Sequence, residues 1–317
     1  MRDYTDEAYI HARLYAMRSR LLSFKDYASM VGNQDPDPYD KTSGAHALAE
    51  AEEALFREQI SGVMALAEAI AVYTPLFISF LRQFEILNAK LILTNAFGIQ
   101  APVQWYDIGP YAVLKRGLLK EDISVQVLRT IFAGTYLSDL LEGESSYENM
   151  EARADLCAVK DLYGASLLLG PDNKSDFQNL MGRRTAVTLT ALSLRLRNIY
   201  QWDEERRSAC LRLFYDAFEG NLLPHVNVVE GILERHVEQV RAGSGQEPSV
   251  VDLEHHLEQQ YYTWISTMFH RDFNSICCVV AYLWLLFYQI RNLFKILEGR
   301  RFGYPPEGIL ARIICNR

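Results

Sequence analysis

Apolar residues recur at spacings of three and four along most of the chain, the period of an α-helix with one buried face. The clearest opening case is Ile10, Leu14, Met17, Leu21, Phe24, Ala28 and Val31, which predicts one amphipathic helix. It should stop in GNQDPDPYDKTSG, residues 32–44, where Gly, Asn, Asp and Pro supply turn chemistry. A second helix is expected from Ala45. Further breaks fall in QAPVQW near Pro102, LLGPDNKSD near Pro171, AGSGQEPS at 242–249 and FGYPPEG at 302–308. AGSGQEPS has linker composition but is short, so it reads as a loop after a polar helix bearing Glu234, Arg235, Glu238 and Arg241. Strand-like alternation is rare, and the expected fold class is all-α.

Two stretches are apolar all round, residues 69–81 and 276–287. Both fall short of the roughly 20 residues a membrane-spanning helix needs. Glu68 and Arg82 flank the first and Pro75 interrupts it. Both are predicted to be buried helices.

The second stretch runs into YQIRNLF, where polar residues interrupt the apolar pattern. The same interruption recurs as FEILN at 84–88, LRLRN at 194–198 and YQIRN at 288–292. Each ends in an asparagine: Asn88, Asn198 and Asn292. These are 110 and 94 residues apart. Phe84, Leu194 and Tyr288 lie four residues before them, and Ile92, Trp202 and Ile296 four after, so each asparagine sits within an apolar stripe. Asp155 and Glu254 precede the second and third copies at similar distances, each followed eight residues on by a tyrosine, Tyr163 and Tyr262; Glu50 precedes the first. Three similar helical units are expected, over residues 1–105, 106–205 and 206–317. The asparagines should be buried amides bonded to a neighbouring helix or a kinked backbone, because an unsatisfied one costs about 1–3 kcal/mol.

Composition narrows the functions. The net charge of −8 argues against nucleic acid or an anionic membrane surface as the main partner. Five cysteines, an odd number without C-x-x-C, read as buried reduced thiols of a cytosolic protein. The first twenty residues show no apolar signal core, so Asn173-Lys-Ser carries little weight as a glycosylation site.

No G-x-x-x-x-G-K-[ST] or G-x-G-x-x-G is present, so no direct nucleotide site is expected; GASLLLG at 164–170 lacks the lysine. Di-metal E-x-x-H pairs, H-E-x-x-H and D-D-x-x-D are absent too. The nearest metal-like cluster, Asp252, Glu254, His255 and His256, sits at a helix start and reads as capping and solvated face. No catalytic, cofactor or metal residue is expected. Arg291, Arg300 and Arg301 complement the negative end of their helix, with contact to acidic partner surfaces as a secondary role.

The opening YIHARLYAMRSRLLSFKDYASMV, the closing AYLWLLFYQIRNLFKILEGRRFGYPPEGI and the threefold asparagine motif carry a family resemblance. Together they resemble the C-type subunits of the archaeal and bacterial A/V-type rotary ATPases, relatives of the d-type subunits of vacuolar ATPases. The resemblance spans the whole chain. Gln289 and Arg195 depart from it, since acidic residues are usual at those positions. The resemblance implies a funnel of three bundles with pseudo-threefold symmetry, peripheral on the cytoplasmic face of the membrane. It implies a non-catalytic rotor subunit between the central-stalk subunits of D and F type and the rotor ring. A helical scaffold of another complex is the alternative, although solenoid repeats have shorter periods of roughly 20–50 residues. A helical enzyme would need a polar pocket with perturbed titratable groups.

Overall fold

Helix ends fall where the chain offers capping or breaking residues. The computed structural model describes residues 4–32, 45–71, 73–99, 104–119, 123–143, 146–169, 171–218, 221–271 and 275–317. Among these, twelve α-helices and three short 3-10 turns occur, and no strand. The first helices are α1 (Tyr4–Arg18), α2 (Phe24–Gly32), α3 (Ala45–Ala69) and α4 (Thr74–Ala96). Next come α5 (Val125–Phe132), α6 (Tyr147–Leu167), α7 (Pro171–Asn198) and α8 (Glu204–Ala217). The last are α9 (Leu223–Ser244), α10 (Val250–Arg271), α11 (Ile276–Arg301) and α12 (Pro306–Ala311). The fold class is all-α, as the periodicity predicts.

Ser124, Ser146, Asp203 and Ser275 each accept a backbone N–H in the first turn of the helix they precede. Pro75 opens α4, where its missing N–H costs nothing. Gly245 closes α9 in the left-handed region at φ 68°. The turn sequences predicted over 33–44 and at 100–103 lie outside the described residues.

One helix predicted from Ile10 to Val31 is two, α1 and α2. Ser23 and Asp26 form a capping pair that restarts the helix: the Ser23 hydroxyl donates to Asp26 Oδ2 at 2.6 Å, and the Asp26 N–H donates back to Ser23 Oγ at 3.4 Å. Of the predicted stripe Ile10, Leu14 and Val31 are buried, Met17, Leu21, Phe24 and Ala28 are only partly so, and Tyr27, outside the stripe, takes the buried position in α2.

The chain forms two compact units, Met1–Lys120 with Tyr262–Arg317, and Glu121–Tyr261. In the first, α11 is the core helix. Every residue from Ile276 to Ile290 is buried, as expected of a helix apolar on all sides. It packs against α1, α2, α3 and α12. An aromatic cluster ties it to α3 and α4: Phe84 lies 4.9 Å from Phe56 and 5.2 Å from Phe287, ring to ring, and Phe80 lies 6.1 Å from Trp284. In the second unit α7 packs against α6, α8 and α9, burying Phe177, Leu180, Phe214 and Val229. These two units do not coincide with the three segments 1–105, 106–205 and 206–317 expected from the repeat.

Candidate functional site

On α4 the apolar stripe buries Phe84 and, with it, Glu85 and Asn88. The Asn88 side chain pairs with the backbone of one residue on the returning loop. Its Nδ2 donates to the Tyr106 carbonyl at 2.8 Å, and the Tyr106 N–H donates to its Oδ1 at 2.9 Å. An amide matches a peptide group donor for acceptor, so both are satisfied at once. One turn earlier, Glu85 Oε1 accepts the N–H groups of Val113 and Leu114 at 2.6 and 2.7 Å. Two side chains of one helix therefore hold the loop from 106 to 114.

On α11 the arrangement recurs. Tyr288 and Asn292 are buried. Asn292 Nδ2 donates to the Ile314 carbonyl at 2.7 Å, and the Ile314 N–H donates to Asn292 Oδ1 at 3.0 Å. Three residues before it, Gln289 accepts the Leu22 N–H at 2.7 Å and donates to Gln59 Oε1 at 2.6 Å. Leu22 lies in the α1–α2 break, so Gln289 satisfies a backbone group that the interrupted helix leaves without an intrahelical partner. Tyr288 packs edge-on against Tyr262 at 5.5 Å.

The second copy differs. Asn198 is exposed and its Nδ2 donates to Leu194 O, one turn back in its own helix, at 2.9 Å. Leu194 is partly buried. Gln201 takes a left-handed conformation at φ 57°, and the chain leads on to α8. The residue three before Asn198 is Arg195, which ion-pairs with Glu254 at 2.9 Å and Glu151 at 3.8 Å. Burial works against its charge, but the Asp155, Glu254 and Glu151 carboxylates together raise its pKa. Of the acids placed by sequence spacing, Asp155 acts on its own copy here, whereas Glu254, placed before the third copy, pairs with the second instead. The shared feature of all three copies is a polar anchor at the second motif position: Glu85, Arg195 and Gln289. Their differing charge hides it in the sequence; the available signal is their common polarity inside an apolar stripe.

Beside the α4 and α11 joints lies a small group of charges. Glu52 on α3 is 3% exposed, and its Oε1 has no hydrogen-bond partner. Burial, and then the Glu298 carboxylate, push its pKa up to about 8. Burial also raises Glu298, against the pull of Lys295 and Arg291. Next in sequence, Glu53 ion-pairs with Arg116 at 2.9 Å. Arg291 is exposed and its guanidinium lies 5.6 Å from the Phe287 ring. Arg300 donates to the Met30 carbonyl at 2.8 Å, and Arg301 is half-buried at the end of α11.

Asp252 belongs to a helix cap, its N–H donating to Ser249 Oγ at 3.2 Å. His256 stacks flat on His236 at 3.6 Å, and burial lowers its pKa to about 4. Among the described residues no group of three His, Cys, Asp or Glu is placed to hold a metal. All five cysteines are buried free thiols. The arrangement holds backbone to helix.

From residue 10 to residue 312 the chain matches the family described as ATP synthase (C/AC39) subunit. The chain belongs to that family. No curated protein matches it individually. As a C/AC39 subunit it is a component of a rotary, membrane-associated ATPase, in a family of accessory subunits that are generally non-catalytic. Among the described residues of this C/AC39 subunit, one helix, α11, is long and apolar enough to cross a membrane. Its most apolar window is 94% buried inside the protein, which is the burial of a core helix.

Proposed function

We propose that this C/AC39 subunit is the non-catalytic rotor element that joins the central stalk to the membrane rotor ring. Through it, ATP synthesis or hydrolysis is linked to ion transport. Its partners are the D- and F-type stalk subunits and the ring, and it lies peripheral on the cytoplasmic side. The observation that carries this reading is the family match over residues 10–312. The joints supply a physical rationale. A coupling element must pass torque without its loops yielding, and paired amide–peptide bonds fix loop to helix in both position and direction.

The reading extends to three units related by pseudo-threefold symmetry. The matched geometry of Asn88 and Asn292, and the polar anchor shared by Glu85, Arg195 and Gln289, support it. The test is assembly. The full chain should co-purify with stalk and ring subunits and show no ATP hydrolysis alone. A complex prepared without it should hydrolyse ATP but move no ions. Tight coupling in its absence would overturn the reading.

A further inference from the structure

The end of α11 displays a feature that the joints do not use. Residues 302–308 are all exposed, and among them Phe302 and Tyr304 are 67% and 63% exposed. Single exposed apolar residues are ordinary on protein surfaces. Here two aromatic rings share one turn, with centroids 6.4 Å apart.

The turn is rigid. The Phe302 N–H donates to Glu298 O at 2.9 Å, and the Tyr304 N–H donates to Gly299 O at 2.8 Å. Gly303 sits in the left-handed region at φ 70°, closing the helix, and Pro305 and Pro306 stiffen the exit. Ile309 of α12 is buried against Gly299, and Lys295 donates to the Arg312 carbonyl at 2.8 Å. The rings are therefore presented with little conformational freedom left to lose on binding.

Charge indicates what they would meet. Residues 295–317 carry five basic side chains, Lys295, Arg300, Arg301, Arg312 and Arg317, against two acidic ones, Glu298 and Glu307. The whole chain has a net charge of −8, so this end is locally inverted. Aromatic and arginine side chains are the types that dominate protein–protein hot spots, and a basic rim selects an acidic partner. An anionic lipid surface calls for a dense basic cluster. Here Glu307 lies within the turn, while Lys295 and Arg300 bond backbone carbonyls.

We propose that Phe302 and Tyr304, on the locally basic end of the chain, form a docking surface for an acidic, partly apolar face of another protein of the rotary complex. This rests on the function proposed above and names the surface that serves it.

The experiment titrates the full-length chain against the rotary complex prepared without it, with wild type compared to a Phe302→Ser, Tyr304→Ser double variant. Both replaced side chains are exposed, so the melting temperature should not change. The dissociation constant should rise by about tenfold or more, and wild-type binding should weaken with added salt. Equal binding by the double variant overturns the docking surface and leaves the proposed function standing. Failure of wild type itself to bind overturns the proposed function, and the docking surface with it. Phosphatidylserine vesicles are the control probe: binding to them that depends on Phe302 and Tyr304, with complex binding unchanged, overturns the protein partner in favour of a membrane.

Discussion

A helical asparagine that bonds a peptide group on another segment is worth more than one that bonds its own helix. Asn292 is buried and satisfies both backbone groups of Ile314. Asn292→Leu leaves two buried peptide groups unpaired and should cost about 1–3 kcal/mol in denaturant unfolding. Asn198→Leu removes an exposed intrahelical bond and should stay within about 0.5 kcal/mol of wild type. Equal costs at the two sites would mean that burial does not set the value of this motif. The three asparagines stand out in the sequence, but their burial does not. That depends on where the chain goes next, and the left-handed Gln201 sends it onward after Asn198.

Glu52 supplies a pH signature. Its ordinary value is 4.5 and its folded value is about 8, so the folded state holds the proton more tightly than the unfolded chain. Its contribution therefore makes stability fall as pH rises from about 4.5 through about 8, and stay level outside that window. Glu52→Gln should flatten this part of the stability–pH curve and leave the variant more stable than wild type above pH 8. Parallel curves for the two proteins would show that Glu52 is already ionised in the fold.

At the scale of elements, α12 reaches α11 only because Gly299 has no side chain. A Cβ built there would lie 2.7 Å from Ile309 Cγ1. Alanine is the better helix former by about 1 kcal/mol, but overpacking a buried contact costs about 1–3 kcal/mol. Gly299→Ala should therefore lower the melting temperature, and adding Ile309→Ala should recover part of that loss. A more stable single variant would mean that α12 moves aside freely. Most elements were legible in the sequence, because helix period and cap residues are local properties. The division of α1 from α2 was not. The apolar spacing runs straight through it, while the capping pair Ser23 and Asp26 signals a restart, and the acceptor that stabilises the break, Gln289, lies 267 residues away. Long-range satisfaction of a backbone group leaves no periodic trace.

At the scale of the whole molecule, the first unit is built from both ends of the chain and the second from its middle. The last six residues stitch the first unit together. Ile313, Ile314 and Cys315 are buried, Ile314 completes the Asn292 joint, and Asn316 donates to Ser266 Oγ at 3.0 Å. Removing residues 312–317 deletes the burial of two isoleucines, worth about 1.5–3 kcal/mol each. It also leaves Asn292 unpaired, at about 1–3 kcal/mol more. The total rivals the stability of about 5–15 kcal/mol of an ordinary domain. The loss belongs to the first unit, of which all six removed residues are part. Hydrogen exchange on the truncated chain should accordingly accelerate in α1, α2 and α11 while amides in α6, α7 and α9 keep their protection. Uniform acceleration would mean that the two compact units unfold as one, and that the tail at 312–317 stabilises the entire protein.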